Sequence, residues 1–172
     1  DAASYRYEED GGLLVEDGYL KALLCTDGFT RPDTPTRLVR AEEAAHTFEA
    51  VTDLRTLFKH EVRLLVGSAM NFILFEHLTA QVKATGRNGG ELVGTWNAEQ
   101  PDWFPKLVDE GLRAKGWWQA PTGFIALPLR QLRHLSLGKR MKRLPTALLR
   151  VVFNLAAAMA ANGQLRRRAF RW

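Results

Sequence analysis

The amino-acid sequence predicts a helix-rich α/β fold, with a small remnant of sheet followed by a series of helices. Three features underlie that class. Leu13-Leu14-Val15 and Leu38-Val39-Arg40 are short apolar runs of strand length, set between turn-forming residues. The segment from Asp53 to Leu65 instead spaces its apolar residues at the helical period. A glycine- and asparagine-rich stretch, residues 86–97, then breaks the chain, and helical patterns follow it. The expected organisation is a first part over residues 1–85 and a basic helical appendage over residues 86–172.

The opening, residues 1–12, is acidic and ends in Asp10-Gly11-Gly12. It reads as a loop, or as an edge strand through Tyr5-Arg6-Tyr7 and then a turn. Gly11 and Gly12 lack side chains, so a ligand could approach the backbone closely there. The run after them delivers two carboxylates, Glu16 and Asp17, at its end. Such a pair can supply a general base or metal ligands, although most Glu-Asp dipeptides are surface turns. On a strand only one of two adjacent residues faces a given cleft. Residues 18–25 read as a helix with Tyr19, Leu20, Leu23 and Leu24 on its buried side. Residues 26–35 read as a loop rich in Asp-Gly and Pro-Asp turns.

The strand at Leu38 is followed by a less regular piece ending at His46, a residue type that more often makes structural hydrogen bonds than binds metal. Thr52 and Asp53 are helix N-cap types. Behind them Leu54, Leu57, Phe58, Val62, Leu64 and Leu65 share one arc, with Glu61 in its middle. Arg55, Lys59 and Arg63 recur every four residues and stack into a basic stripe, with His60 at its edge. Gly67 and Ser68 are expected to end or loosen this helix before a second one over Met70–Lys83, with Phe72, Ile73, Phe75 and Leu78 available for burial. Further helices are expected over Asp102–Lys115, stopped by Gly116, and over Leu129–Leu137. A last helix is expected from Pro145 to Asn162, capped by Gly163.

A chain of 172 residues, 46% hydrophobic and 25% charged, is a globular protein with a core of useful size. One cysteine, Cys25, excludes an internal disulfide framework and a cysteine-based zinc site, fits a reducing compartment, and reads as a small core residue. The chain opens at Asp1 with no signal-peptide pattern and reads as the downstream part of something longer. Its net charge of +5 conceals a strong polarity. Residues 1–50 carry 11 Asp and Glu against 5 Lys and Arg, whereas residues 111–172 carry 13 Lys and Arg and no acid. That split points to a nucleic-acid or anionic-membrane contact, or to a solvated basic tail. No charge-free stretch is long enough to span a bilayer. The cations on either side of the last apolar helix, with Trp172, suit the surface of an anionic membrane or, equally, a docked helix with basic caps.

The order Gly11-Gly12, Glu16-Asp17, His46, then Arg55-x-x-x-Lys59-His60-x-x-Arg63 resembles the C-terminal, acceptor-side half of inverting nucleotide-sugar glycosyltransferases with the GT-A fold. That group contains cellulose, chitin and hyaluronan synthases and many smaller bacterial transferases. The likeness covers roughly residues 10–70 and implies a sheet remnant of that fold. It implies Asp17, beside Glu16, as the base that deprotonates an acceptor hydroxyl during a single inverting displacement. It implies Arg55, Lys59, His60 and Arg63 as ligands of the donor diphosphate, and His46 as a metal ligand. The family's Gln and Trp, chiefly features of its processive synthases, are replaced here by His60 and Leu64. No Asp-x-Asp occurs. The implied divalent cation, Mg or Mn, would therefore be held mostly by a preceding half, and this stretch alone would be inactive. The implied partners are a nucleotide-sugar donor, a glycan or lipid-linked acceptor and an anionic membrane. The implied location is the cytoplasm, at the inner face of the membrane.

Two readings without catalysis stand beside it. One is a nucleic-acid-binding module using the acid-free segment, with Trp117, Trp118 and Phe170 as stacking faces. No helix-turn-helix, RRM or KH signature supports it. The other is a membrane-surface interaction domain.

Overall fold

A computed structural model describes residues 16–38 and 53–169. Among these, the chain forms six α-helices and one turn of 3-10 helix, Pro35–Arg37, and no strand. The helices are α1 (Glu16–Thr26), α2 (Leu54–Thr85), α3 (Gly89–Glu99), α4 (Trp103–Ala114), α5 (Leu127–Leu132) and α6 (Leu137–Arg167). This overturns the α/β class and the GT-A-like sheet remnant. The carboxylate-bearing end of the first supposed strand, Glu16-Asp17, is the first turn of α1. Leu38, which begins the second, is irregular and exposed. The possible strand at Tyr5–Tyr7, the rest of both runs, Gly11, Gly12 and His46 lie outside the described residues.

The described residues form two compact units interleaved along the sequence, the first built from residues 16–38 and 70–114, the second from residues 53–69 and 115–169. In the first unit, α1 presents Cys25 to the interior at 1% exposure, while Leu20 and Leu24 face outward. Tyr19 and Leu23, the other two residues expected on the buried side, are half-buried, so that expectation holds only in part. Gly28 adopts φ +66°, a conformation a side chain would strain, and leaves no room for a Cβ beside the Asn88 side chain. Asn88 uses both ends of its amide. Its oxygen caps α3 by accepting from the Gly90 N–H at 2.8 Å, and its nitrogen donates to the Asp27 carbonyl at 3.1 Å. The Gly89 N–H donates to the Gly28 carbonyl at 2.8 Å. These bonds explain why a glycine- and asparagine-rich stretch forms a helix instead of a break. The interior holds Leu74, Leu78 and Val82 of α2, Leu92 of α3, and Val108 and Leu112 of α4. Gly111 is the close-approach position: a Cβ there would lie 2.6 Å from Cγ2 of Ile73.

The second unit contains the N-terminal half of α2, the connector 115–126, α5 and α6. Asp53 caps α2, its Oδ1 accepting from the Thr56 N–H at 2.8 Å, as its residue type predicts. Val62, Leu65, Val66 and Ala69 are buried. Leu54 is exposed, and Glu61, expected mid-arc, is half-buried. The helix does not stop at Gly67-Ser68 but runs unbroken for 32 residues. A mid-helix glycine costs about 1 kcal/mol, and burial of Val66, Ala69 and Met70 around it outweighs that cost.

Helix α6 likewise starts earlier and ends later than its local signals suggest. It enters at Leu137, carries Pro145 inside, passes Gly163 and is closed by Arg168 at φ +53°. Its inner side is small: Ala157, Ala158 and Ala161 are at most 1% exposed, which lets neighbouring backbone approach closely. Asn162 ties the connector to this side, accepting from the Gln119 N–H at 2.7 Å and donating to the Trp117 carbonyl at 3.2 Å. Phe153 packs edge-on against Phe58 with ring centroids 5.7 Å apart.

Candidate functional site

Charge divides between the units. Among the described residues, the second holds fourteen Lys and Arg against two Asp and Glu, Asp53 and Glu61. Fixing these residues on helices gives that excess a direction. Counting about 100° per residue along α6, Leu148, Val152, Leu155 and Met159 fall on one arc and Leu149 on its edge. The exposures match: Leu149 71%, Val152 64%, Met159 61%. Nearer the start of the helix, Leu137 and Met141 extend the same stripe, at 78% and 68% exposure. Arg166 and Arg167 close it at one end, and Lys142 borders it near the other, all exposed.

α6 is thus apolar on two sides. Its alanine side completes the second unit, and its leucine, valine and methionine side is left uncovered among the described residues. An 18-residue window of the helix has mean hydropathy 1.6, with 22% of it buried, so by length and composition the helix could cross a membrane. The sequence-level expectation of no spanning segment counted only charge-free stretches. Arg150, the single charge between Leu144 and Ala161, had interrupted them.

On the same side of α6 as the alanines but nearer its start, Arg143, Thr146, Ala147 and Arg150 recur at spacings of three, four and seven residues and share one arc. With α5 they border an open groove of about 370 Å³. Its polar rim is Gln131, Arg143, Thr146 and Arg150, and its floor is Pro128, Leu132, Leu135 and Ala147. Arg140 fastens the turn between the two helices, donating from Nε to the Leu135 carbonyl at 2.6 Å and from Nη2 to the Arg133 carbonyl.

The residues singled out by sequence are distributed differently. Arg55, Lys59, His60 and Arg63 all lie on α2 and are exposed, so the basic stripe is real as geometry. Hydrogen bonds from Thr56 hold the Asp53 carboxyl below its ordinary value, and Lys59 adds a smaller pull in the same direction. Asp17 is exposed on α1 in the first unit, whereas the four basic residues belong to the second. The sheet edge that would have aimed Asp17 into a donor cleft is a helical turn instead. Among the described residues no three His, Cys, Asp or Glu side chains converge into a metal-binding group, so no ligand set for the implied Mg or Mn is found there. The exposed stripe of α6 was legible only as an apolar segment between cations. The groove was not legible, because its two walls come from helices whose packing no local pattern states.

Comparison with protein-family models, curated proteins and solved structures gives no match.

Proposed function

We propose that the second unit binds anionic membrane surfaces, with α6 lying in the interface and its Leu148–Met159 stripe facing the acyl chains. The observation that carries this reading is the uncovered apolar stripe on a helix rimmed by cations. What covers such a stripe must tolerate that charge. A second copy of the same helix would bring cations against cations, since residues 111–172 contain no acid. An anionic bilayer supplies both an apolar phase and counter-charge, about 1 kcal/mol for each Lys or Arg near the surface.

Lying along the surface fits better than crossing. Insertion across the bilayer would strip the buried contacts of Ala157, Ala158 and Ala161 and the two hydrogen bonds of Asn162. It would also carry Arg150 and Asn154 into hydrocarbon, at a cost of about 2.5–3.5 kcal/mol for a central arginine alone. The transferase reading is not carried forward, because the sheet that supported Asp17 as a base is replaced by α1.

The test is co-sedimentation with vesicles of phosphatidylcholine alone or mixed with phosphatidylglycerol. Binding is expected only to the anionic vesicles, and to weaken as salt rises. Replacing Leu149 and Met159, 71% and 61% exposed, by serine removes apolar contact with the lipid. Together the two changes should cost about 2–3 kcal/mol, or roughly 30- to 150-fold in affinity. Undiminished binding by that variant would refute the role of the stripe. Salt-sensitive binding to DNA without vesicle binding would favour the nucleic-acid reading instead.

A further inference from the structure

We infer that the groove between α5 and α6 is a binding site for a phosphate monoester carrying a short apolar chain. The site lies on a different side of α6 from the lipid-facing stripe. At about 100° per residue the arc of Arg143, Thr146 and Arg150 is roughly half a turn away from that of Leu148, Val152 and Met159. It therefore opens toward water when the stripe rests on a bilayer, and it does not depend on that reading.

The chemistry of the walls selects the ligand. Arg143 and Arg150 stand two helical turns apart and both border one cavity, so their guanidinium groups can converge on one anion. No ion pair to a carboxylate engages either among the described residues, and neither α5 nor α6 contains an acid. Two guanidinium groups match the near-dianionic charge of a phosphate monoester, and each can donate two parallel hydrogen bonds to its oxygens. Thr146 and Gln131 add a hydroxyl and an amide donor at the same rim. Beneath them Pro128 and Ala147 are buried and Leu132 and Leu135 half-buried, an apolar floor that an inorganic anion would leave unused. A cavity of about 370 Å³ accommodates a phosphate with a chain of modest length. The site is also braced in advance. Arg140, one turn before Arg143, is bound to the two carbonyls of the α5–α6 turn, which fixes the wall that presents both arginines.

Calorimetric titration with octyl phosphate below its micelle concentration tests the site, with inorganic phosphate and octyl glucoside as the partial ligands. One saturable site is expected for octyl phosphate, with at least tenfold weaker binding of each partial ligand. R143Q/R150Q should weaken binding tenfold or more with an unchanged far-UV circular dichroism spectrum. If that variant fails to fold, the single lysine substitutions R143K and R150K, which keep charge but lose the forked donor geometry, should each still weaken binding. Backbone amide shifts on titration should concentrate in residues 127–150. The stripe variant L149S/M159S should bind octyl phosphate as the natural chain does. Equal affinity for inorganic phosphate or octyl glucoside overturns the proposal, as does indifference to both arginine substitutions. Loss in the stripe variant also overturns it, by showing that the chain coats the exposed face instead.

Discussion

Replacing Asn162 by alanine should loosen the whole connector from α6. The side chain is 6% exposed and makes two hydrogen bonds to backbone more than forty residues away, accepting at 2.7 Å from the Gln119 N–H and donating at 3.2 Å to the Trp117 carbonyl. Gln119 is itself 6% exposed, so its N–H would be left without a partner in a dry site. A net hydrogen bond contributes about 0.5–1.5 kcal/mol, and a stranded buried donor costs about 1–3 kcal/mol. The total expected loss is about 2–4 kcal/mol, a large share of a typical domain's stability. In urea, with a slope of about 2 kcal/mol/M, the midpoint should fall by roughly 1–2 M. Asn154→Ala is the internal control. Asn154 is half-buried and donates one bond, at 3.2 Å, to the Phe124 carbonyl, so its loss should cost about 1 kcal/mol or less. A smaller effect at Asn162 than at Asn154 would show that the buried amide does not hold the connector.

Two further outcomes follow from packing and titration. Gly111→Ala puts a Cβ 2.6 Å from Ile73, so overpacking of about 1–3 kcal/mol should outweigh the helix-propensity gain of about 1 kcal/mol. Thermal melts should show destabilisation less than additive with Ile73→Ala, and a higher melting temperature for the single variant would contradict the close approach. Burial lowers the pKa of His77 from its ordinary 6.5, against the opposing pull of Glu110. The unfolded chain then binds the proton more readily, so stability is complete above that value and declines as pH falls from 6.5 toward the lower folded pKa. His77→Gln should flatten the slope of melting temperature between about pH 7.5 and 5; an unchanged slope would assign it to other groups.

Several elements could be read directly from local signals. Asp53 caps a helix, Gly116 at φ +73° follows the end of another, and Cys25 is interior, each for reasons carried by the residue itself. The basic stripe of Arg55, Lys59 and Arg63 was equally legible, since a helix of any environment places those positions on one side. The α/β class failed because a run of three or four apolar residues is too short to distinguish strand from helix by its pattern. At Glu16-Asp17 the helix begins where the strand was expected to end.

By itself, then, the sequence determined where helices can be nucleated, how charge is partitioned along the chain, and that the C-terminal third joins an apolar segment to cations. Tertiary structure alone decided that α2 continues through Gly67 and α6 through Pro145 and Gly163, and that Gly89 and Gly90 open a helix. It alone decided which side of α6 the fold uses. The reason is one of magnitude. A glycine or proline penalises a helix locally by about 1–3 kcal/mol, whereas burying each large apolar side chain on a distant partner returns about 1.5–3 kcal/mol. Several such burials outweigh any single breaker, and which residues meet is a property of the folded chain.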